Sequence, residues 1–117
     1  MNERQSLPNT PEPPYYAVVF ASTRPTDVDD GYEVMADAMF ELAADQPGFI
    51  GADSVRGADG AGITVSYWTD EEAIAAWHAQ ADHLVAQAAG YDRFYESFSI
   101  RVARVERQYG FDRAGTD

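Results

Sequence analysis

The alternation of apolar and polar positions predicts four β-strands. Residues 15–23 are apolar on both alternating sets of positions, which is typical of a strand covered on both faces. Residues 49–56 and 63–68 form two further strands, separated by a glycine-rich segment that favours a hairpin turn. That segment does not fit a phosphate-binding loop, because no Lys follows it and no helix begins there. Residues 97–108 give a long last strand.

Between these strands, apolar residues recur at helical spacing. Residues 29–45 are predicted as a helix, with Tyr32 and Met35 on its apolar face. A second helix is expected to begin near Asp70, after the capping box that Thr69 forms with Glu72, and to end near Gly90. Acidic residues four positions apart in the first helix are interpreted as a solvated face rather than a metal site.

The resulting order, β-α-β-β-α-β, predicts an α+β protein with a ferredoxin-like fold, a four-stranded antiparallel sheet with two helices on one face. Residues 1–13 are predicted to form a flexible N-terminal tail, 14–110 the domain, and 111–117 a C-terminal tail. Because the helices cover only one face while the first strand is apolar on both, we expect a homodimer that packs through its sheet faces.

Composition limits the classes of partner. The chain has 117 residues with 20 acidic and 8 basic side chains, a net charge of −12, so nucleic acid and anionic membranes are excluded as expected partners. It has no Cys and no Lys, which removes thiolate and Schiff-base chemistry. No apolar run is long enough to span a membrane, and the first residues lack the apolar core of a signal peptide. The expected location is therefore cytoplasmic.

Several short segments resemble the antibiotic biosynthesis monooxygenase (ABM) domain superfamily. They are the Pro47-Gly48-Phe49 turn, the strand 63–68 that ends in Trp68, and Trp77 nine residues later. The segments His83…Gln87…Gly90…Phe94-Tyr95 and Arg101 to Arg107 extend the resemblance over about residues 15–110. The resemblance implies a dimeric α+β barrel. It also implies an oxygenase that acts on aromatic molecules without a cofactor, or a haem-degrading monooxygenase.

The residues favour the first of these activities. The resemblance implies a haem-ligating His about ten residues beyond Trp77, where this chain has Gln87, a poor iron ligand; the expected Asn of the first strand is also missing. We therefore expect no metal and no cofactor, and haem is disfavoured. A non-catalytic dimeric domain that binds a small molecule or has a stress-related role is the alternative to a monooxygenase of an aromatic or quinone-like compound.

Three residues are candidates for catalysis. His83 is the candidate base, because an imidazole titrates near neutral pH. Arg101 or Tyr95 is the candidate for stabilising a developing oxyanion. Each has a structural alternative: His83 as a half-exposed histidine bonded to a nearby carbonyl or carboxylate, and Arg101 as one side of a salt bridge. Substrate-binding candidates are Trp77, Phe94, Gln87 and Tyr67, although a plain core position is the favoured interpretation of Trp77. His78 is interpreted as a surface partner of Asp82.

Overall fold

The computed structural model describes residues 7–87 and 90–113. Its elements are β1 (Tyr15–Thr23), α1 (Tyr32–Ala44), β2 (Phe49–Arg56), β3 (Ala61–Trp68), α2 (Glu71–Gln87), a short 3₁₀ turn (Tyr91–Arg93) and β4 (Ser97–Val105). The four strands form one antiparallel sheet in the order β2-β3-β1-β4. The predicted βαββαβ fold is therefore confirmed.

The two faces of the sheet differ in what covers them. Val18 of β1 and Trp68 of β3 pack with Ile74 of α2. We call the face of the sheet on which Val18 and Trp68 lie the helix-side face. Tyr15 and Tyr67 lie on the opposite side, the outer face, where their rings meet edge to face at 6.1 Å. Tyr67 and Trp68 thus point to opposite faces, as the sequence predicts.

Two clusters fill the space between the helices and the sheet. At one end Trp68 is fully buried, and its indole N–H donates to Ser66 Oγ at 2.9 Å. At the other end Met35, Val85 and Phe94 pack together. The second cluster contains five aromatic residues, Phe20, Tyr32, Tyr91, Phe94 and Tyr95, and borders the candidate site.

The ends of several elements differ from the prediction. The strand β4 ends at Val105, because its partner β1 begins at Tyr15, which lies opposite Val105. The helix α1 begins at Tyr32 rather than at residue 29, because Gly31 has a left-handed backbone (φ 82°) and Asp30 pairs with an arginine. The hairpin turn between β2 and β3 is confirmed.

The segment before β1 lies against the sheet where the structure describes it. Pro8 occupies the space that a side chain at Gly51 would take, on the outer face. The hydroxyl of Thr10 donates to Gln108 Oε1 at 2.7 Å, and Gln108 Nε2 donates to the carbonyl of Pro11. Residues 1–6 and 114–117, parts of the predicted tails, lie outside the described residues. Neither described helix is long and apolar enough to cross a membrane.

Candidate functional site

An apolar strip of β4 lies uncovered on the helix-side face. Phe98, Ile100 and Val102, here called the β4 strip, are 40%, 40% and 49% exposed. They share a face with Val18 and Phe20 of β1, which do pack into the helix-side clusters. The helices therefore cover the middle of the sheet and leave its β4 edge as a shallow apolar surface beside α2.

A cluster of titratable groups borders this strip. The carboxylate of Asp82, on α2, lies 3.5 Å from His78 Nε2 and accepts a hydrogen bond from the Tyr91 hydroxyl. The Tyr91 ring in turn lies 5.0 Å from the Phe98 ring, which ties this group to the β4 strip. Burial, followed by the hydrogen bond to Asp82, raises the pKa of Tyr91. We call His78, Asp82 and Tyr91 the Asp82 cluster.

Aromatic rings connect the Asp82 cluster to the interior. Tyr95 is buried, and its ring contacts those of Phe20 at 5.4 Å and Tyr32 at 5.7 Å. Its hydroxyl lies 3.5 Å from that of Tyr32. Burial first, and then the neighbouring Tyr32, raise the pKa of Tyr95, so this hydroxyl stays protonated and can donate. Phe94, the predicted pocket wall, is buried beside Tyr32.

The arginine just after β1 fixes the position of these aromatic residues. Arg24 is buried; it pairs with Asp30 at 3.2 Å and donates to the carbonyl of Phe94 at 2.6 Å. Its guanidinium lies 3.7 Å from the centroid of the Tyr32 ring, a cation–π contact. The hydrogen bond from Arg24 holds the pKa of Asp30 below its usual range.

A second arginine reaches the same tyrosine from β2. Arg56 donates to the carbonyl of Gly60 at 2.6 Å, to Ser22 Oγ at 2.7 Å and to the Tyr32 hydroxyl at 3.4 Å. Its guanidinium packs against Gly62, so closely that a Cβ atom at position 62 would lie 2.7 Å from Arg56 Cζ. In the part of the chain that the structure describes, Arg56 has no carboxylate partner.

The structure separates the three candidates for catalysis. His83 is exposed, nine residues beyond buried Ile74, which corresponds to about half a turn around the helix at ~100° per residue. Arg101 is exposed on the outer face, where it donates to Ser99 Oγ at 3.1 Å. Tyr95 is buried on the helix side. These residues do not converge on one cavity, and their catalytic roles stay predictions.

The predicted substrate-binding residues also lie in separate parts of the fold. Trp77 is half-buried against Trp68, with ring centroids 5.5 Å apart. Its indole N–H is buried and has no acceptor within the described residues. Gln87 is exposed at the end of α2. Tyr67 lies on the outer face and donates to Asp53. Burial, followed by this hydrogen bond, raises the pKa of Tyr67 to about 12.

The sequence predicted two of the three members of the Asp82 cluster, His78 and Asp82, and missed Tyr91. The i, i+4 spacing predicted that His78 pairs with Asp82, and this pair is confirmed. Tyr91 and the two arginines that contact Tyr32, Arg24 and Arg56, were missed, because each has its partners on other elements of the fold. Over residues 7–87 and 90–113, no group of three or more His, Cys, Asp or Glu side chains is arranged to hold a metal ion.

Comparisons with known proteins agree with this architecture. The chain is 50% identical over 111 residues to YqjZ of Bacillus subtilis (strain 168), a protein described as uncharacterized, and covers 96% of it. It is 28% identical over 92 residues to a jasmonate monooxygenase of Pyricularia oryzae, where the match spans 77% of this chain and 43% of that protein.

Solved structures share the fold at low sequence identity. A mutant of SnoaB, a cofactor-independent oxygenase from Streptomyces nogalater, superposes with a TM-score of 0.65 at 19% identity, covering 81% of this chain and 95% of that one. PA3566 from Pseudomonas aeruginosa superposes with a TM-score of 0.62 at 12% identity, covering 86% and 100%. A family model described as antibiotic biosynthesis monooxygenase matches residues 14–89. With most of the βαββαβ core inside that match, the chain belongs to the antibiotic biosynthesis monooxygenase family.

Proposed function

We propose that the protein is a small monooxygenase that oxidises a flat aromatic or quinone-like molecule without a cofactor. The observation that supports this most is the position of the Asp82 carboxylate. It contacts the His78 imidazole and the Tyr91 hydroxyl beside the uncovered β4 strip. Family membership supports the reaction type, since one relative is named a monooxygenase and one structural neighbour a cofactor-independent oxygenase.

In this proposal the β4 strip binds the ring system and His78 is the base. Apolar contact with Phe98 and Ile100 holds a flat ligand by removing its surface from water. His78 takes a proton from an activated CH₂ group, and the carboxylate of Asp82 stabilises the imidazolium that forms. The Tyr91 hydroxyl holds Asp82 in place from the other side, because it donates to the same carboxylate.

The substrate itself supplies the electrons. The carbanion formed by loss of the proton reduces O₂, and the new C–O bond gives a peroxide that loses water. Overall, CH₂ and O₂ become C=O and H₂O, so one oxygen atom enters the product and the other leaves as water. The base therefore contributes by forming the carbanion, and no external reductant is required.

Oxygen uptake with anthrone, a flat compound with an acidic CH₂ group, tests the proposal. Replacing His78 with Ala should lower the rate by about 100-fold, the usual contribution of a general base. Asp82→Asn should lower it less, because the imidazole remains but its charged form loses a partner. Glu72→Gln, an exposed carboxylate on the same helix, is the matched control and should leave the rate unchanged.

The variant His83→Ala separates the two histidine assignments. If the rate falls with His83→Ala and not with His78→Ala, the base is His83, the candidate predicted from the sequence, and the role proposed for the Asp82 cluster is wrong. If neither histidine matters and the wild-type protein accelerates no uptake by anthrone or related CH₂ acids, the protein is a binding domain rather than an oxygenase.

We further propose that the protein acts as a homodimer formed through the outer sheet face; members of this family are typically dimeric. Val55 and Ile63 lie on this face and are 75% and 52% exposed. The segment with Pro8 already covers the Gly51 end of the same face. The half of the face around Ile63 is therefore the part left for a second copy to cover.

A further inference from the structure

We propose that two copies of the chain pack their outer faces about a two-fold axis that runs along the strands, so that Asp53 of each copy forms an ion pair with Arg101 of the other. The inference rests on the homodimer proposed above and names the contacts that fix its geometry. Three observations support it: a row of residues with opposite charges at its two ends, large side chains beside small ones, and a cavity on the same face.

One row of aligned residues crosses the outer face from edge to edge. Its members are, from β2 to β4, Asp53, Val65, Val19 and Arg101. Neighbouring strands are about 4.8 Å apart, so about 14 Å separates the two charged ends and they cannot pair within one copy. Neither end has an ion-pair partner in the part of the chain that the structure describes.

A two-fold axis between β3 and β1 brings opposite charges together. It places β2 of one copy over β4 of the other, so that Asp53 faces the partner's Arg101 at both ends of the row. Packed sheets are about 10 Å apart, which an aspartate and an extended arginine span together. An axis across the strands would instead place Asp53 over the partner's Asp53. It would also place the half of the face around Ile63 over the half that Pro8 covers.

The same axis places large side chains of one copy over small ones of the other. The next row of the outer face contains, from β2 to β4, Val55, Ile63, Ala21 and Ser99. Ile63 therefore faces the partner's Ala21, and Val55 faces the partner's Ser99. A cavity of about 600 Å³ lies at this end of the face, and its lining includes the small residues Ala21, Thr23, Ala61, Ser97 and Ser99. In the dimer this cavity receives the partner's Ile63 and Val55.

This arrangement gives Arg101 the structural role that the sequence analysis left open, one side of a salt bridge. Charges that an interface shields from water interact more strongly than exposed ones. Because the two-fold axis creates the pair twice, a single substitution changes two contacts.

Charge-reversal variants, studied by sedimentation equilibrium, test the pairing. Arg101→Glu brings like charges together at both ends of the row and should raise the dissociation constant of the dimer about 100-fold. Asp53→Arg should do the same. In an equal mixture of the two variants, Asp53 of one again faces Arg101 of the other, and the two introduced charges also have opposite signs. The mixture should therefore form dimers of twice 12.9 kDa.

The control is Arg104→Glu, which makes the same charge change on the helix-side face of β4. It should leave the dissociation constant unchanged. If Asp53→Arg fails to fold by circular dichroism, Asp53→Asn replaces it. Arg101→Glu should then weaken the dimer less in the Asp53→Asn background than in the wild type, because no like charge faces it there.

A mixture that stays monomeric would overturn the pairing, as would an Arg101→Glu dimer as tight as the wild type or an equal effect of Arg101→Glu in both backgrounds. A dimer that Ile63→Glu dissociates and Arg101→Glu does not would keep the outer face and reject this geometry. Oxygen uptake is measured separately, so failure of the pairing and failure of the oxygenase proposal are distinguishable.

Discussion

At the scale of single residues, Arg24 shows how one side chain fixes several segments. It follows β1, pairs with Asp30 in the segment before α1, and donates to the carbonyl of Phe94 before β4. Its guanidinium also covers the Tyr32 ring. The aromatic residues of the candidate site thus owe their position to one partly buried ion pair, and weakening that pair should measurably lower the free energy of unfolding.

Asp30→Asn is expected to lower the free energy of unfolding by about 1.5–3 kcal/mol at neutral pH, the range for a hydrogen bond to a charged group. The folded-state pKa of Asp30 is lowered from 3.8. Its contribution is therefore complete above that unfolded-state value and is lost as pH falls through the lower folded-state pKa. Urea unfolding at pH 7 and again well below pH 3.8 measures the difference between wild type and variant.

The exposed neighbour Asp29 provides the control. Asp29→Asn should change the free energy of unfolding little at either pH, because exposed carboxylates contribute little to stability. A deficit in Asp30→Asn that stays the same in acid would show that the ion pair with Arg24 is not its cause.

At the scale of elements, most of the fold could be predicted from local pattern. The bounds of β1 and β2 agree with the prediction, because turn-forming residues flank both strands: Pro25 follows β1, and Pro47-Gly48 and Gly57 enclose β2. The ends of other elements depend on contacts that no local pattern contains. The end of β4 follows from where β1 begins, and the start of α1 follows from the use of Asp30 by Arg24.

The start of α2 is an instructive case. The capping box predicted Thr69 as the cap, but Asp70 precedes the first helical residue, and its Oδ1 accepts a hydrogen bond from the Ala73 N–H at 2.8 Å. Asp70→Ala should therefore lower the free energy of unfolding by about 1 kcal/mol. Thr69→Ala should cost less, and urea unfolding of both variants compares them. A larger loss in the free energy of unfolding for Thr69→Ala would show that Thr69 is the cap, as the sequence predicted.

At the scale of the whole molecule, the sequence predicted a sheet face that the helices leave uncovered, but it did not predict the arrangement of the candidate site. Both alternating sets of β1 are apolar, which already indicates two covered faces. The site depends instead on Tyr32 meeting Arg24, Arg56 and Tyr95, residues brought together from four separate segments. Contacts between separate segments produce no periodic pattern in a single sequence. The pair of His78 and Asp82 was predictable only because both lie on one helix.

The outer face gives the last prediction. A charge buried between two apolar faces is costly, and this chain already carries −12, so Ile63→Glu should dissociate the homodimer proposed above. Light scattering after gel filtration should give twice 12.9 kDa for the wild type and 12.9 kDa for the variant. Val34→Glu makes the same change at an exposed position of α1 and should leave the dimer intact. A wild-type protein that elutes as a monomer would leave Val55 and Ile63 exposed, and would contradict a dimer through this face.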